Sequence, residues 1–240
     1  MIINKVSIFV ALLLANGIVT YGQDISIRIG TFYSSYGMSE LKNVQKEIAD
    51  YNSSSLNVPI SKIKSFPSYF SFELQTGTTI FKNVNVGILF NYSSTGARSG
   101  YIDYSGEYKT DYWIEAETYG IFLEINLNKS EYADLLIGNK FLLINSSLEI
   151  IDLLTVWDES IWEDNHFQSQ SFGFSPYVAY QLKLKFLTTR LELNYLVDNK
   201  ADLHHQNNNK SYLLFRNRSK VGSDWSGFRI GLTFGLAFNN

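Results

Sequence analysis

Residues 158–166 hold a dense group of side chains that could bind a metal ion. Carboxylate oxygens and imidazole nitrogens both coordinate divalent cations, but the spacing here matches no EF-hand loop. A solvated acidic loop explains the same composition, so we expect no metal site. The five residues are Asp158, Glu159, Glu163, Asp164 and His166.

Three histidines and two serines offer the parts of a hydrolase or acyltransferase that acts on lipid. A histidine would serve as general base for a serine nucleophile, yet the sequence has no G-x-S-x-G motif. Two of the histidines are adjacent, so on a strand they would point to opposite faces. We therefore expect no catalytic residue, no cofactor and no enzymatic activity, and a lipid-modifying enzyme stays open as an alternative. The residues concerned are His166, His204, His205, Ser160 and Ser211.

Composition narrows the function classes further. Cysteine is absent, which excludes thiol nucleophiles, disulfides and Cys-ligated zinc. The net charge is −3 and the Lys and Arg residues are scattered, so we expect no nucleic-acid partner. Lys5 followed by an apolar stretch over 6–19 predicts a signal peptide, residues 1–22, and a mature domain, residues 23–240. No later stretch is long and apolar enough for a membrane-spanning helix.

Strands are the elements that must position these residues. From Phe228 to Phe238 apolar residues alternate with small or polar ones without a break, a period typical of a strand. Seven further segments are predicted as strands, and one of them, Leu135–Ile144, is apolar on both faces, which leaves its register open. A ten-stranded version that adds Gly100–Tyr108 or Tyr212–Arg216 also stays open. The other six are Ile25–Tyr33, Tyr69–Thr78, Val84–Tyr92, Tyr119–Leu127, Phe172–Leu182 and Leu187–Val197.

The second face of these strands carries mostly small side chains, which fit the interior of a narrow barrel better than a water-facing surface. The apolar face would then contact lipid. Long and short connections alternate along the chain, as they do in outer-membrane barrels with external loops and short periplasmic turns. The first long connection predicts a helix over Met38–Tyr51 with Ser39 as its cap. A soluble lipocalin-like barrel, with its apolar face inward, is the alternative.

Six charged residues fall on the small-residue face. We expect Arg28 to pair with Glu73 on the next strand, and Glu192 to pair with Arg229, because buried charges need partners. Lys140 joins this network if its strand has the matching register. The expected role is structural closure of a narrow lumen, and an ion pathway is the functional alternative. The network is Arg28, Glu73, Glu124, Arg190, Glu192 and Arg229.

Two tryptophans, Trp113 and Trp225, stand on the long-loop side at the start of predicted strands. Tryptophan favours membrane interfaces because it has an apolar body and a polar edge. We therefore expect both residues to contribute to an aromatic girdle.

With these features the sequence resembles the small outer-membrane β-barrel proteins of diderm bacteria, the porin-like superfamily that includes the OmpA and OmpX barrels. The resemblance rests on the signal peptide, the eight alternating segments and the final strand. Phe228, Phe234 and Phe238 match the aromatic C-terminal strand signal of that family, although two asparagines follow here.

The resemblance implies an all-β fold: an eight-stranded antiparallel up-and-down transmembrane β-barrel with a short helix in the first long loop. It also implies a bacterial outer-membrane location, contact with outer-membrane lipid and insertion by the barrel assembly machinery. The expected role is structural anchoring or surface interaction, with an external ligand or protein at the long loops. A narrow porin-like channel for small solutes is a further alternative. The ligand and the oligomeric state do not follow from the sequence.

Overall fold

The structure is a computed structural model that describes residues 25–81, 83–157, 159–184 and 187–238. The predicted signal peptide, Asp158 and the two final asparagines lie outside these residues. Within them the chain forms thirteen strands and one helix. The strands are β1 (Ile25–Ser34), β2 (Ser61–Ser65), β3 (Tyr69–Phe81), β4 (Val84–Asp103), β5 (Gly106–Lys129), β6 (Ala133–Val156), β7 (Glu159–Leu184), β8 (Leu187–Asp198), β9 (Ala201–Asp202), β10 (His204–His205), β11 (Asn208–Tyr212), β12 (Gly222–Ser223) and β13 (Gly227–Phe238), and the helix is α1 (Ser39–Leu56).

Eight strands close into one antiparallel ring, in the order β1, β3, β4, β5, β6, β7, β8 and β13. The last strand pairs with the first, with Ile25 opposite Phe238 and Ser34 opposite Arg229. The predicted eight-stranded antiparallel barrel is thus confirmed, and the ten-stranded version is wrong. Gly100–Tyr108 forms the end of the β4–β5 hairpin, and Tyr212 ends β11, which pairs outside the ring.

Side chains alternate between the two faces of the ring, and the outward face is apolar. Ile29, Phe72 and Ile121 are each more than half exposed on it, whereas a soluble lipocalin-like barrel would turn such residues inward. The structure also fixes the register that the sequence left open. In the segment 135–144, Phe141 faces outward and Leu142 faces inward. Both faces are apolar there because Leu142 packs into an apolar core inside the ring.

Four strands continue far past the length that a membrane requires. β4, β5, β6 and β7 have 20, 24, 24 and 26 residues, and a tilted membrane strand needs only about 9–11. The long connections predicted after Tyr92 and after Ile144 are therefore mostly paired strand. A tight turn ends the β4–β5 hairpin. There the Asp103 carboxylate accepts hydrogen bonds from the backbone N–H groups of Ser105 and Gly106 at 2.8 and 3.2 Å.

Helix α1 lies over this extended end of the barrel. It reaches Leu56, five residues beyond the predicted end, and the N-cap is Met38, which makes no side-chain capping bond. The prediction that Ser39 caps the helix is therefore wrong. The Met38 side chain is fully buried in the core beneath the helix. Among the described residues no helix is long and apolar enough to cross a membrane.

Short strands line the edges of the extended end. β2 pairs with β4, β10 pairs with β7 and β11, and β9 pairs with β12. The Gln45 amide on α1 is fully buried and donates to the carbonyl oxygens of Lys64 and Arg98 at 2.8 and 3.1 Å. The helix is thereby joined to β2 and β4 rather than resting loosely on them.

Candidate functional site

A buried ion network crosses the lower lumen, toward the end with the short turns. Glu124 on β5 is fully buried, and its carboxylate contacts Arg190 on β8 at 2.8 Å and Arg28 on β1 at 3.2 Å. The Tyr177 hydroxyl also donates a hydrogen bond to it at 2.7 Å, and so does the Asn85 amide at 3.1 Å. The Glu124 carboxylate therefore links β5 to four other strands of the ring.

Lys140 on β6 forms a second buried cluster. Its ammonium group lies 2.7 Å from the Glu73 carboxylate and 2.6 Å from that of Glu192. Arg229 is buried as well, and its Nε atom has no hydrogen-bond partner among the described residues.

The expected pairs between neighbouring strands are wrong. In the observed register Arg28 lies opposite Gln75 and not Glu73, and Glu192 lies opposite Gly231 and not Arg229. The ions pair across the lumen instead, because eight strands leave an interior that long side chains can span. Strand order alone could not reveal this, since it does not say which residues face each other through the centre.

An apolar core fills the lumen above the ions. Trp225 is only 1% exposed, its ring packs edge-on against Tyr36, and its indole N–H donates to the Ser146 hydroxyl at 2.8 Å. The expectation that Trp225 belongs to a lipid-facing girdle is therefore wrong. The residue precedes β13 in a segment that folds inward beneath α1. Leu41 and Val44 of the helix close this core from above.

Trp113 has the outward position that a girdle residue needs. Its side chain is about half exposed on the outer face of β5. The three aromatic residues of the C-terminal signal lie on β13, where Phe228 and Phe234 point outward. Phe238 ends that strand, opposite Ile25.

The hairpins β4–β5 and β6–β7 extend beyond the apolar band, and we call their residues 94–117 and 146–170 the protruding sheet. In the sequence these residues include eleven acidic and two basic side chains. The ends of both hairpins carry apolar residues in solvent, with Tyr104 93% and Trp157 74% exposed. The backbone N–H of Trp157 donates a hydrogen bond to the carbonyl oxygen of Ser105 at 3.2 Å, so the two hairpin ends are joined.

Strand β7 places the predicted acidic residues on its two opposite faces. Asp164 and His166 share the outer face of β7, with 3.0 Å between the imidazole Nε2 and the nearest carboxylate oxygen. The register of β6 and β7 places Glu149 directly opposite His166. The potential ligand atoms of these three residues lie within 4.8 Å of one another. Sequence analysis missed Glu149 because it lies seventeen residues before His166 and only strand pairing brings the two together.

The residues of the hypothetical hydrolase do not assemble in this way. Ser160 and His166 lie six residues apart along β7, which is about 20 Å in an extended strand. The Ser160 hydroxyl contacts that of Thr155 at 3.0 Å. The His205 ring packs edge-on against Phe167, and that of His204 against Tyr212.

Comparisons with known proteins give structural likenesses only. No family model and no curated protein sequence matches the chain. Among solved structures, the chain is similar to Ail, the attachment invasion locus protein of Yersinia pestis, with 12% identity, 91% of this chain and 100% of Ail covered, and a TM-score of 0.36. A structure of Ail in complex with the heparin analogue sucrose octasulfate has the same identity and coverage, with a TM-score of 0.35. The fold assignment for this chain rests on its own closed ring of eight strands.

Proposed function

We propose that this protein is a non-enzymatic outer-membrane β-barrel that anchors a rigid, acidic binding surface outside the cell. The observation that carries the proposal is the protruding sheet. Its strands stay paired beyond the apolar band, while ion pairs and an apolar core fill the lumen below. A barrel packed in this way supports a surface better than it passes solute.

The location in a membrane is supported by the outward apolar face and by the closed ring. In lipid every backbone polar group needs an internal partner, and a closed ring provides one. We place the short turns in the periplasm and the protruding sheet outside, as in other barrels of this kind. Export through the predicted signal peptide and insertion by the barrel assembly machinery belong to the same proposal.

Single-cysteine labelling tests the location and the orientation. The chain has no cysteine, so one introduced thiol is the sole target of a membrane-impermeant maleimide. Tyr104→Cys lies at the end of the β4–β5 hairpin. Tyr132→Cys is also exposed and lies in the turn between β5 and β6. Intact cells should label Tyr104→Cys but not Tyr132→Cys, and permeabilised cells should label both. Labelling of Tyr132→Cys in intact cells, or recovery of the protein in a detergent-free periplasmic fraction, would contradict the proposal.

The charge of the protruding sheet indicates the class of partner. Eleven acidic residues against two basic ones attract a positively charged ligand and repel a polyanion. Ail was crystallised with a sulfated sugar, and the acidic sheet of this chain fits a basic peptide or a basic protein surface instead. We therefore propose a cationic external partner.

Binding of a fluorescent poly-lysine peptide to the barrel in nanodiscs tests this choice. Glu159→Gln with Glu163→Gln removes two exposed charges from β7. Since an exposed ion pair contributes about 0.2–1 kcal/mol, loss of two charges should lower the affinity about two- to thirtyfold. The matched control is Asp50→Asn with Glu131→Gln, which changes the net charge equally but outside the protruding sheet. Equal loss in both variants, or tight binding of sucrose octasulfate, would refute a cationic partner.

The lipid-modifying alternative has its own test. A variant with His166→Ala, His204→Ala and His205→Ala removes all three histidines of the chain. The proposal expects no difference in phospholipid or lipopolysaccharide composition between cells with this variant and cells with the native protein. Loss of a modified lipid would establish an enzyme.

A further inference from the structure

The outer face of the β6–β7 hairpin brings together three side chains of metal-binding type. Glu149 and His166 are cross-strand partners, and Asp164 lies two residues from His166 on the same face. All three potential ligand atoms lie within 4.8 Å of one another. Paired strands hold these positions, so a cation would not have to order a loop in order to bind.

The potential ligand atoms of these three residues favour some cations over others. One imidazole nitrogen and two carboxylate oxygens suit zinc and related transition metal ions, whereas calcium and magnesium prefer oxygen ligands throughout. Three protein ligands also match the number found in zinc sites that leave one position for water.

The charges around the three residues favour a cation. The carboxylates of Glu149 and Asp164 lie within 4.8 Å of each other, and among the described residues no lysine or arginine forms an ion pair with either one. Arg98 pairs with Asp111 in the wall of a groove of about 540 Å³, which Lys64 also lines. Glu149 and Trp113 line the same groove, so water or a further ligand can reach the site from that side.

We propose that Glu149, Asp164 and His166 form a surface site for a divalent transition metal ion of the zinc type. The site is separate from the lumen and needs no ligand from the proposed cationic partner. It lies on the protruding sheet, where a bound ion would join β6 to β7 by a bond other than the backbone ladder.

Zinc titration of the refolded barrel tests the proposal. The protein is prepared without a polyhistidine tag, stripped with a chelator and titrated with Zn²⁺ in competition with a fluorescent zinc indicator. We expect one site per chain. His166→Ala and Glu149→Gln should each weaken binding by about 10-fold or more, since loss of an outer-shell partner alone commonly costs about 10- to 100-fold. His205→Ala is the matched control, because it removes an imidazole from β10 and leaves the three residues intact.

Two measurements keep the outcome decisive. Heat-modifiability on an SDS gel verifies that each variant is a folded barrel, so lost binding cannot reflect misfolding. Excess Ca²⁺ should not displace zinc, because the imidazole is a poor ligand for calcium. Absence of zinc binding to the native chain, binding unchanged in His166→Ala, or an equal loss in His205→Ala would overturn the proposal.

Discussion

Glu124 is fully buried in the lumen and accepts hydrogen bonds from side chains on four other strands. The donors are Arg28, Asn85, Tyr177 and Arg190. Replacing Glu124 with glutamine keeps the shape but removes the carboxylate with which both arginines form their ion pairs. Because loss of one partner from a buried ion pair commonly costs about 3–5 kcal/mol, Glu124→Gln should lower the free energy of unfolding by that amount. Urea unfolding in lipid vesicles, followed by tryptophan fluorescence, measures it.

The matched control at the residue scale is Glu131→Gln. Glu131 is exposed in the turn between β5 and β6, and surface substitutions usually change stability by less than about 0.5 kcal/mol. A loss of stability below about 1 kcal/mol in Glu124→Gln would show that the buried network contributes little.

At the scale of elements, helix α1 is tied to the protruding sheet by a polar contact at its C-terminal part. The Tyr108 hydroxyl of β5 accepts a hydrogen bond from the Asn52 amide of α1 and lies 3.1 Å from the Asp152 carboxylate of β6. Burial raises the pKa of Tyr108 from its ordinary value of 10.0 to about 12, and the negative charge of Asp152 adds to the shift. The contribution of this group to stability is therefore complete below pH 10 and is lost as the pH rises through about 12.

Absorbance titration of tyrosinate checks this contact. The native curve minus that of Tyr108→Phe isolates one phenol, which should ionise near pH 12. Asp152→Asn removes the neighbouring charge, so it should bring the pKa of Tyr108 closer to 10. A difference curve centred near pH 10 in the native protein would mean that the helix does not cover Tyr108.

At the scale of the whole molecule, the filled lumen argues against the alternative that the barrel is a channel. Ion pairs occupy the lower part, and an apolar core beneath α1 occupies the upper part. We expect the barrel to produce no discrete conductance steps in planar bilayers at neutral pH. Insertion is verified in parallel by heat-modifiability of the protein recovered from vesicles. Steps that shrink when Arg190 is replaced by alanine would establish a conducting lumen and refute the proposed anchor role.

The sequence by itself determined the class of fold. Alternation of apolar and small residues depends only on the period of the strand, so the eight segments of the ring and the apolar face outward could both be predicted. The small side chains on the second face of the predicted strands distinguished a membrane barrel from a soluble one. The helix was predicted from its apolar spacing. Its end at Leu56 was not, because that spacing does not report long-range contacts such as the hydrogen bond from Asn52 to Tyr108 of β5.

Only the tertiary structure decided which residues meet. Glu149 joins His166 through the β6–β7 register, and Arg28 meets Glu124 through the centre of the ring. Trp225 is buried because its segment folds under α1, a long-range contact that no local pattern reports. Local periodicity fixes the face on which a side chain lies, whereas register and ring closure fix its partner, and both depend on the pairing of residues distant in the sequence.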